Sequence, residues 1–363
     1  MEKIDIIIPA YKAQKTLPQL LGSIVEQTIA ADVKVYVVND CCPNGDYQEI
    51  IKPFKDFIDI EELQLNINGG PGVARQYGID HSKAPFITFA DADDTFYGAF
   101  ALEHLYKGVS KEDNIVCCTA VFLEETPTRE LLPHSQDKTW IFGKMFRRSF
   151  LEREGITFSE ERANEDMGFN LLVYMLINKT EQICFSDIPV YLWRNNENSI
   201  TKINNGQYTW DQAFVGWIKN LVRNFDIVLQ KPGIDLQMVE GVFWEGFLKA
   251  YCMFNEIIDI APEFGEQAFF YCKMLWHKTK KWRRPWLEIE DLRSVYKDFL
   301  IEFLTTFYPA PFYFTISFPD FIKKLDEDIF DENQIKDINK RIPEEYKNYN
   351  LQVGVAAKKD YEK

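Results

Sequence analysis

Along the first half of the chain, short continuous apolar runs alternate with stretches in which apolar residues recur at helical spacing. Residues 4–8 form an isoleucine-rich run of the kind expected for a strand buried on both faces, and Pro9 ends it. Leu17, Leu20, Leu21, Ile24 and Val25 fall on one face of a helix predicted over residues 17–27. Residues 33–38 are a second buried strand, stopped by Asn39-Asp40 and the turn cluster Pro43-Asn44-Gly45. A helix near 47–54 and a strand near 60–65 follow. The loop Asn68-Gly69-Gly70-Pro71-Gly72 then opens a helix predicted over 73–81. Residues 86–89 are another short strand, running into Asp91-Ala92-Asp93-Asp94. Strands alternating with helices predict right-handed βαβ units and an α/β fold with a mainly parallel sheet flanked by helices.

From about residue 114 to 194 the pattern is mixed, with a strand at 115–122 and helices at 146–152 and 167–177. Beyond residue 208 the strand signal fades, and 210–225, 239–258 and 294–307 read as helices with wide apolar faces. The polar stretch 195–207 places a domain boundary there, giving a first domain over 1–205 and a mostly helical second one over 206–363.

Composition narrows the picture. Of 363 residues, 46% are hydrophobic and 27% charged, enough for sizeable cores. The net charge of −15 argues against a general nucleic-acid binder, which needs a basic footprint. No apolar run approaches the length of a membrane span, and the opening residues lead straight into a strand rather than a signal peptide. Seven cysteines, four of them in the adjacent pairs Cys41-Cys42 and Cys117-Cys118, do not make a disulfide framework and fit a reducing cytoplasm.

In an open parallel sheet, ligands bind beyond the carboxyl ends of the strands. Here those ends carry Pro9-Ala10-Tyr11, Asn39-Asp40, the Gly-rich loop and the Asp91-Asp93-Asp94 cluster. Three carboxylates in four residues repel one another unless a cation sits among them, and a hard divalent ion takes such oxygen ligands together with water and phosphate. The competing reading is a solvated turn, with Asp94 capping the next helix. The Gly-rich loop, with Arg75 in the helix it opens, can hold an anion through its backbone N–H groups, or be a plain turn. Glu165-Asp166 begins an apolar helix, where acidic residues are also ordinary dipole chemistry.

In order and spacing these pieces resemble glycosyltransferase family 2, inverting nucleotide-sugar transferases of GT-A fold. Ile4-Asp5-Ile6-Ile7-Ile8-Pro9-Ala10-Tyr11 is similar to the family's opening strand, and Val35-Tyr36-Val37-Val38-Asn39-Asp40 to its second. Gly72-Val73-Ala74-Arg75-Gln76-Tyr77-Gly78 resembles its Gly-x-x-x-Ala-Arg-Asn-x-Gly segment, and residues 86–94 the strand leading to Asp-x-Asp. Gly143-Lys144-Met145-Phe146-Arg147-Arg148, Asn164-Glu165-Asp166, and Tyr191-Leu192-Trp193-Arg194 with Ser199-Ile200-Thr201 resemble later segments. The resemblance covers about residues 3–203. Asn39 stands where the family usually has Asp, Gln76 where it has Asn, and Lys12 where Asn follows the tyrosine.

The resemblance implies a donor, a UDP-sugar, bound by Pro9, Tyr11, Asp40, Arg75, Asp91, Asp93, Asp94 and Lys144. Asp40 is expected to read uracil. It also implies a divalent metal, Mn²⁺ or Mg²⁺, on Asp93 with help from Asp91. Asp166 is the implied catalytic base, supported by Glu165, and the acceptor is a glycan, lipid-linked or polymer hydroxyl. The helical half is expected to serve the acceptor or oligomerisation. Lys273, Trp276, Lys278, Lys280, Lys281, Trp282, Arg283, Arg284 and Trp286 have the composition of a peripheral membrane or anionic-polymer patch over 273–286, or of a basic helix end with its Trp in the core. An inactive sugar-binding scaffold and a transferase acting on modified DNA bases are the alternatives. A sugar-nucleotide pyrophosphorylase is disfavoured, since Pro9-Ala10-Tyr11-Lys12 stands where its phosphate loop belongs.

Overall fold

The structure is a computed structural model, and it describes residues 3–196, 210–234, 236–258, 262–281 and 315–327. The chain divides into two compact units, Met1–Asn204 and Asn205–Lys363.

In the first unit, β1 (Ile4–Ala10) and α1 (Leu17–Val25) are followed by β2 (Val33–Asn39), α2 (Gln48–Ile51), β3 (Asp59–Gln64), α3 (Pro71–His81) and β4 (Phe86–Phe89). Next come β5 (Thr95–Phe96), α4 (Ala101–Ser110), β6 (Ile115–Glu125), β7 (Leu131–His134) and β8 (Lys144–Arg147). The series ends with α5 (Arg148–Glu154), α6 (Glu165–Leu176) and β9 (Gln182–Trp193). Among the described residues the strands form one nine-stranded sheet, ordered β3-β2-β1-β4-β8-β6-β9-β5, with β7 paired to β6. β3, β2, β1 and β4 are mutually parallel, so their carboxyl ends share one edge of the sheet. β8 runs antiparallel to both neighbours, and β6 and β9 are parallel.

β1 is buried because apolar side chains leave both its faces. Its one charge, Asp5, is matched inside: Oδ2 accepts from the Lys83 and Ala84 N–H groups (2.8 and 2.6 Å) and from Arg148 Nη2 (3.0 Å). α3 lies close against β1 and β2. A Cβ on Gly78 would collide with Cγ2 of Ile7, so only glycine allows this approach.

Several elements differ from the periodicity reading. The helix expected at 47–54 is one α-turn followed by a 3₁₀ turn, because Pro53 interrupts it. Residues 146 and 147 belong to β8, and the helix starts at Arg148. Asp94 does not cap a helix: it leads into β5, and α4 begins only at Ala101.

The second unit has α7 (Trp210–Val228), α8 (Leu236–Ile257), α9 (Pro262–Thr279) and α10 (Phe318–Asp326) among its described residues. Phe225, Phe243, Trp244, Phe247, Trp276 and Phe321 are buried in its core. Trp276 donates its indole N–H to Asp326 (2.8 Å), Lys273 is buried, and Lys278 is paired with Asp226. This corrects the surface expected over 273–286 as far as Lys273 and Trp276 are concerned, since both face inward. Lys280 and Lys281 are exposed. Residues 282–286, the helix expected at 294–307 and Ser199-Ile200-Thr201 lie outside the described residues. No helix among the described residues is long and apolar enough to cross a membrane.

Candidate active site

Parallel pairing delivers the candidate residues to one sheet edge. β1 ends at Pro9-Ala10 and hands over to Tyr11, whose ring is 42% exposed, with the Lys12 ammonium 5.1 Å from its centroid. Asp40 follows β2, and its N–H bonds the Ala10 carbonyl (3.0 Å). The Asp40 carboxylate accepts the Gly69 N–H on one oxygen (2.7 Å) and the Gly70 N–H on the other (2.9 Å). Burial pushes this carboxyl upward, and the two amides pull it back. The amides expected to hold a bound anion are therefore already given to an internal one. Gly70 takes a φ of 88°, a conformation that favours glycine.

Asn39 has its own account. Its Nδ2 donates to Glu62 Oε1 (2.9 Å) and its Oδ1 accepts the Cys42 N–H (2.9 Å). An aspartate here would set a carboxylate against Glu62.

The acid cluster after β4 is closed from far along the chain. Asp94 is buried, accepting the Tyr191 phenol on Oδ2 (3.0 Å) and the Arg194 N–H on Oδ1 (2.9 Å). The same phenol accepts the Asp91 N–H (2.9 Å), and Asn196 Nδ2 donates to Asp93 Oδ2 (2.9 Å). Burial, then Asp91 and Asp93, push Asp94 well up. Burial likewise raises Asp93: Asp91 adds to the rise, while Asn196 opposes it. Tyr191 and Arg194 stand in the segment singled out in the sequence. Asn196 does not, and an amide three residues past a strand carries no signal of its own.

α6 supplies the second carboxylate pair. Asn164, at φ 58°, precedes it, and Glu165 and Asp166 occupy its first turn, both buried. Arg75, buried in α3, forks between them and the acid cluster: Nη1 reaches Glu165 Oε1 (2.7 Å) and Nη2 reaches Asp91 Oδ1 (2.6 Å). A Cβ on Gly72 would lie 2.9 Å from Cγ of Glu165 and 2.7 Å from the Ser159 carbonyl, so α3 and α6 meet where only glycine fits. Burial and then Asp166 push Glu165 up to about 8, against the pull of Arg75. Asp166 is pushed up to about 6 by burial, against Arg75 and the Met167 N–H that its Oδ1 accepts (2.7 Å).

Lys144 opens β8, and its carbonyl accepts from Thr88 Oγ1 on β4 (2.7 Å). Its ammonium is inside, on Asp137 Oδ2 (2.8 Å) and the Trp140 carbonyl. Arg147 and Arg148 are also spent internally, on the carbonyls of Ile115, Val109 and Glu112 and on Asp5. The basic segment that carries part of the resemblance thus holds the scaffold.

Among the described residues no three His, Cys, Asp or Glu side chains form a protein-only metal cage. Asp91 and Asp93 still fit a hard divalent cation. Both offer carboxylate oxygen, their mutual repulsion is what a cation relieves, and such ions complete their shell with water and phosphate.

Residues 5–161 match the family model described as Glycosyl transferase family 2. This segment is thus similar to glycosyltransferase family 2. The chain resembles the uncharacterized glycosyltransferase EpsJ of Bacillus subtilis, at 25% identity over 55% of this chain and 63% of that one. It also resembles the poly(ribitol-phosphate) beta-N-acetylglucosaminyltransferases TarS and TarP of Staphylococcus aureus. TarS is 28% identical over 49% of this chain and 34% of its own; TarP is 25% identical over 59% and 69%. The match thus spans under two thirds of EpsJ and about a third of TarS. The crystal structure of TarS residues 1–349 with UDP-GlcNAc superposes at a TM-score of 0.52 and 17% identity, covering 83% of this chain and 92% of that one. That likeness shows the GT-A fold, a mostly parallel mixed sheet flanked by helices and followed by a helical region.

Proposed function

We propose that this protein is an inverting glycosyltransferase that moves a sugar from a UDP-sugar to a hydroxyl of a glycan, lipid-linked or polymer acceptor. The observation that carries it is the Arg75 fork, because one guanidinium joins Asp91 of the acid cluster to Glu165 beside Asp166. A site for a leaving phosphate and a site for a base are thereby held within one side chain's reach. The poly(ribitol-phosphate) transferases among its relatives support the polymer acceptor, and the UDP-GlcNAc bound to TarS supports the UDP-sugar.

In this reading Asp91 and Asp93 would hold Mg²⁺ or Mn²⁺, which would supply Lewis-acid neutralisation of charge on the departing diphosphate. Pro9 and Tyr11 pack on the base, and Asp40 accepts from it with lone pairs that Gly69 and Gly70 leave over. Asp94 keeps the cluster in shape through Tyr191 and Arg194. Asp166 takes the acceptor's proton as the hydroxyl attacks the anomeric carbon from the face opposite the leaving group, so configuration inverts. Glu165 anchors Arg75 and stays in place. The second unit serves the acceptor. The seven cysteines are all free, as in a protein of the reducing cytoplasm.

The test is a donor panel: nucleotide sugars with Mn²⁺, with or without chelator, following released nucleoside diphosphate and metal-dependent UDP binding. Metal-dependent release from UDP-sugars is expected. Absence of both release and UDP binding overturns the reading.

A further inference from the structure

Trp140 and Trp193 are half-buried, with ring centroids 5.0 Å apart and planes tilted by 45°. Phe142, fully inside, supports both. It stacks with Trp140 (5.9 Å, 6°), meets Trp193 at 5.9 Å, and itself stacks on Tyr191 at 4.8 Å. Aromatic rings backed in this way offer rigid apolar surface at little entropic cost.

Interior polar groups fix the loop that carries Trp140. Asp137 Oδ2 accepts the N–H groups of Thr139 (3.1 Å) and Trp140 (2.9 Å), and Lys144 bonds both Asp137 and the Trp140 carbonyl. Asn170 Nδ2 donates to the carbonyls of Thr139 (2.8 Å) and Trp140 (2.9 Å). Lys144 and Asn170 are each 1% exposed. Burying an ammonium is costly before pairing, and a loop that merely connects two strands needs no such anchor.

Both indoles are tied to the chemistry. Asn170 lies one helical turn from Asp166 on the same face of α6. Trp193 immediately precedes Arg194, whose N–H is bound by Asp94. The border carries partnered carboxylates: Glu124 pairs with Trp193 in register and meets His134 Nε2 (2.9 Å), Glu125 accepts the Asn195 N–H (3.2 Å) beside Arg129 (3.9 Å), and Asp137 holds the loop with Lys144 (2.8 Å). Carboxylates and amides paired in this way present no net charge to attract an anion, and they keep lone pairs that accept from hydroxyls. A neutral sugar ring has a C–H face that packs on an indole and hydroxyl edges that suit such a border.

We propose that Trp140 and Trp193 form a stacking subsite for a neutral sugar ring of the acceptor, beside Asp166. Calling that ring the acceptor rests on the transferase reading; binding of the ring does not.

The test uses the full chain and the methyl glycosides of glucose, galactose and N-acetylglucosamine, without donor, read by saturation-transfer NMR. The wild type is expected to bind at least one glycoside saturably at millimolar concentration. Trp140→Ala and Trp193→Ala should each weaken it by at least about tenfold, and Trp140→Phe and Trp193→Phe by less than about threefold, since the stacking face remains. Phe185→Ala, an exposed aromatic elsewhere on β9, should bind as the wild type does. No glycoside binding by the wild type overturns the proposal, as does wild-type binding by the folded alanine variants. Tryptophan-dependent binding to phosphatidylglycerol vesicles with no glycoside signal overturns it too, in favour of a membrane contact. Should the alanine variants melt below assay temperature, Trp140→Leu and Trp193→Leu replace them, keeping apolar volume without the ring face. UDP titration of the wild type is read separately, so failure of the transferase reading is distinguishable from failure of the subsite.

Discussion

To act as the proposed base Asp166 must be ionised, and its surroundings resist ionisation. Transfer should therefore rise with pH through about 6, the value to which burial pushes this carboxyl, and level off above it. A pH profile of initial rates checks this. Asp166→Asn keeps the acceptor of the Met167 N–H and removes the base, so turnover should fall by at least about a hundredfold, with UDP affinity little changed. The same variant should gain stability. A carboxyl whose folded pKa lies above its unfolded value binds more protons when folded, so it stabilises at low pH and loses that contribution as pH rises through its folded value. At pH 7.5 the charge is a burden, and Asp166→Asn should melt higher by a few degrees, corresponding to on the order of 1–3 kcal/mol. A variant that loses stability as well as activity would show that Asp166 is structural. Asp93→Ala bears on the cation. UDP binding by the wild type should weaken with chelator, whereas the variant should be weak and insensitive to it. Equal, chelator-independent affinity in both proteins would remove Asp93 from the metal.

Among elements, the α3 contact with β1 and β2 decides where Arg75 points. Gly78→Ala gains about 1 kcal/mol of helix propensity, but its methyl collides with Ile7 and lies 3.2 Å from Cγ2 of Val38. Overpacking of this kind costs about 1–3 kcal/mol, so a lower melting point is expected, with donor affinity reduced as Arg75 shifts. Calorimetry with UDP titration reads both. β1, β2 and β4 are legible in sequence because both their faces are buried and the runs are continuous. β9 is not, because its first eight residues are half or fully exposed and its pairing to β6 is broken by bulges. β7 carries Pro133 and is mostly exposed. The boundary between β8 and α5 is hidden by apolar residues that continue across it, from Met145 and Phe146 to Phe150 and Leu151. For the site, carboxylates at strand ends announce themselves. Their holders are only half legible: the sequence marks the Tyr191 segment but not Asn196, and the bonds from Tyr191 to Asp94 and Asn196 to Asp93 span 97 and 103 residues, a distance at which no local pattern encodes the partner.

Over the whole molecule, two separate units imply a division of labour that amide hydrogen exchange can read. UDP with Mn²⁺ should protect 9–12, 69–76, 91–94 and 164–166, and leave 210–228 and 262–279 as they were. Protection of the helical unit by donor alone would break that division. The closure of the acid cluster by β9 also gives the protein an order of birth. β1 to β4 and all three aspartates are synthesised early, but the phenol and amide that gather them arrive about a hundred residues later, on a strand that must slot in beside β6. Parallel pairing over such separations is slow. During synthesis the three carboxylates thus emerge well before the phenol and amide that gather them, and a chain cut before residue 191 would carry every aspartate of the cluster without its holders.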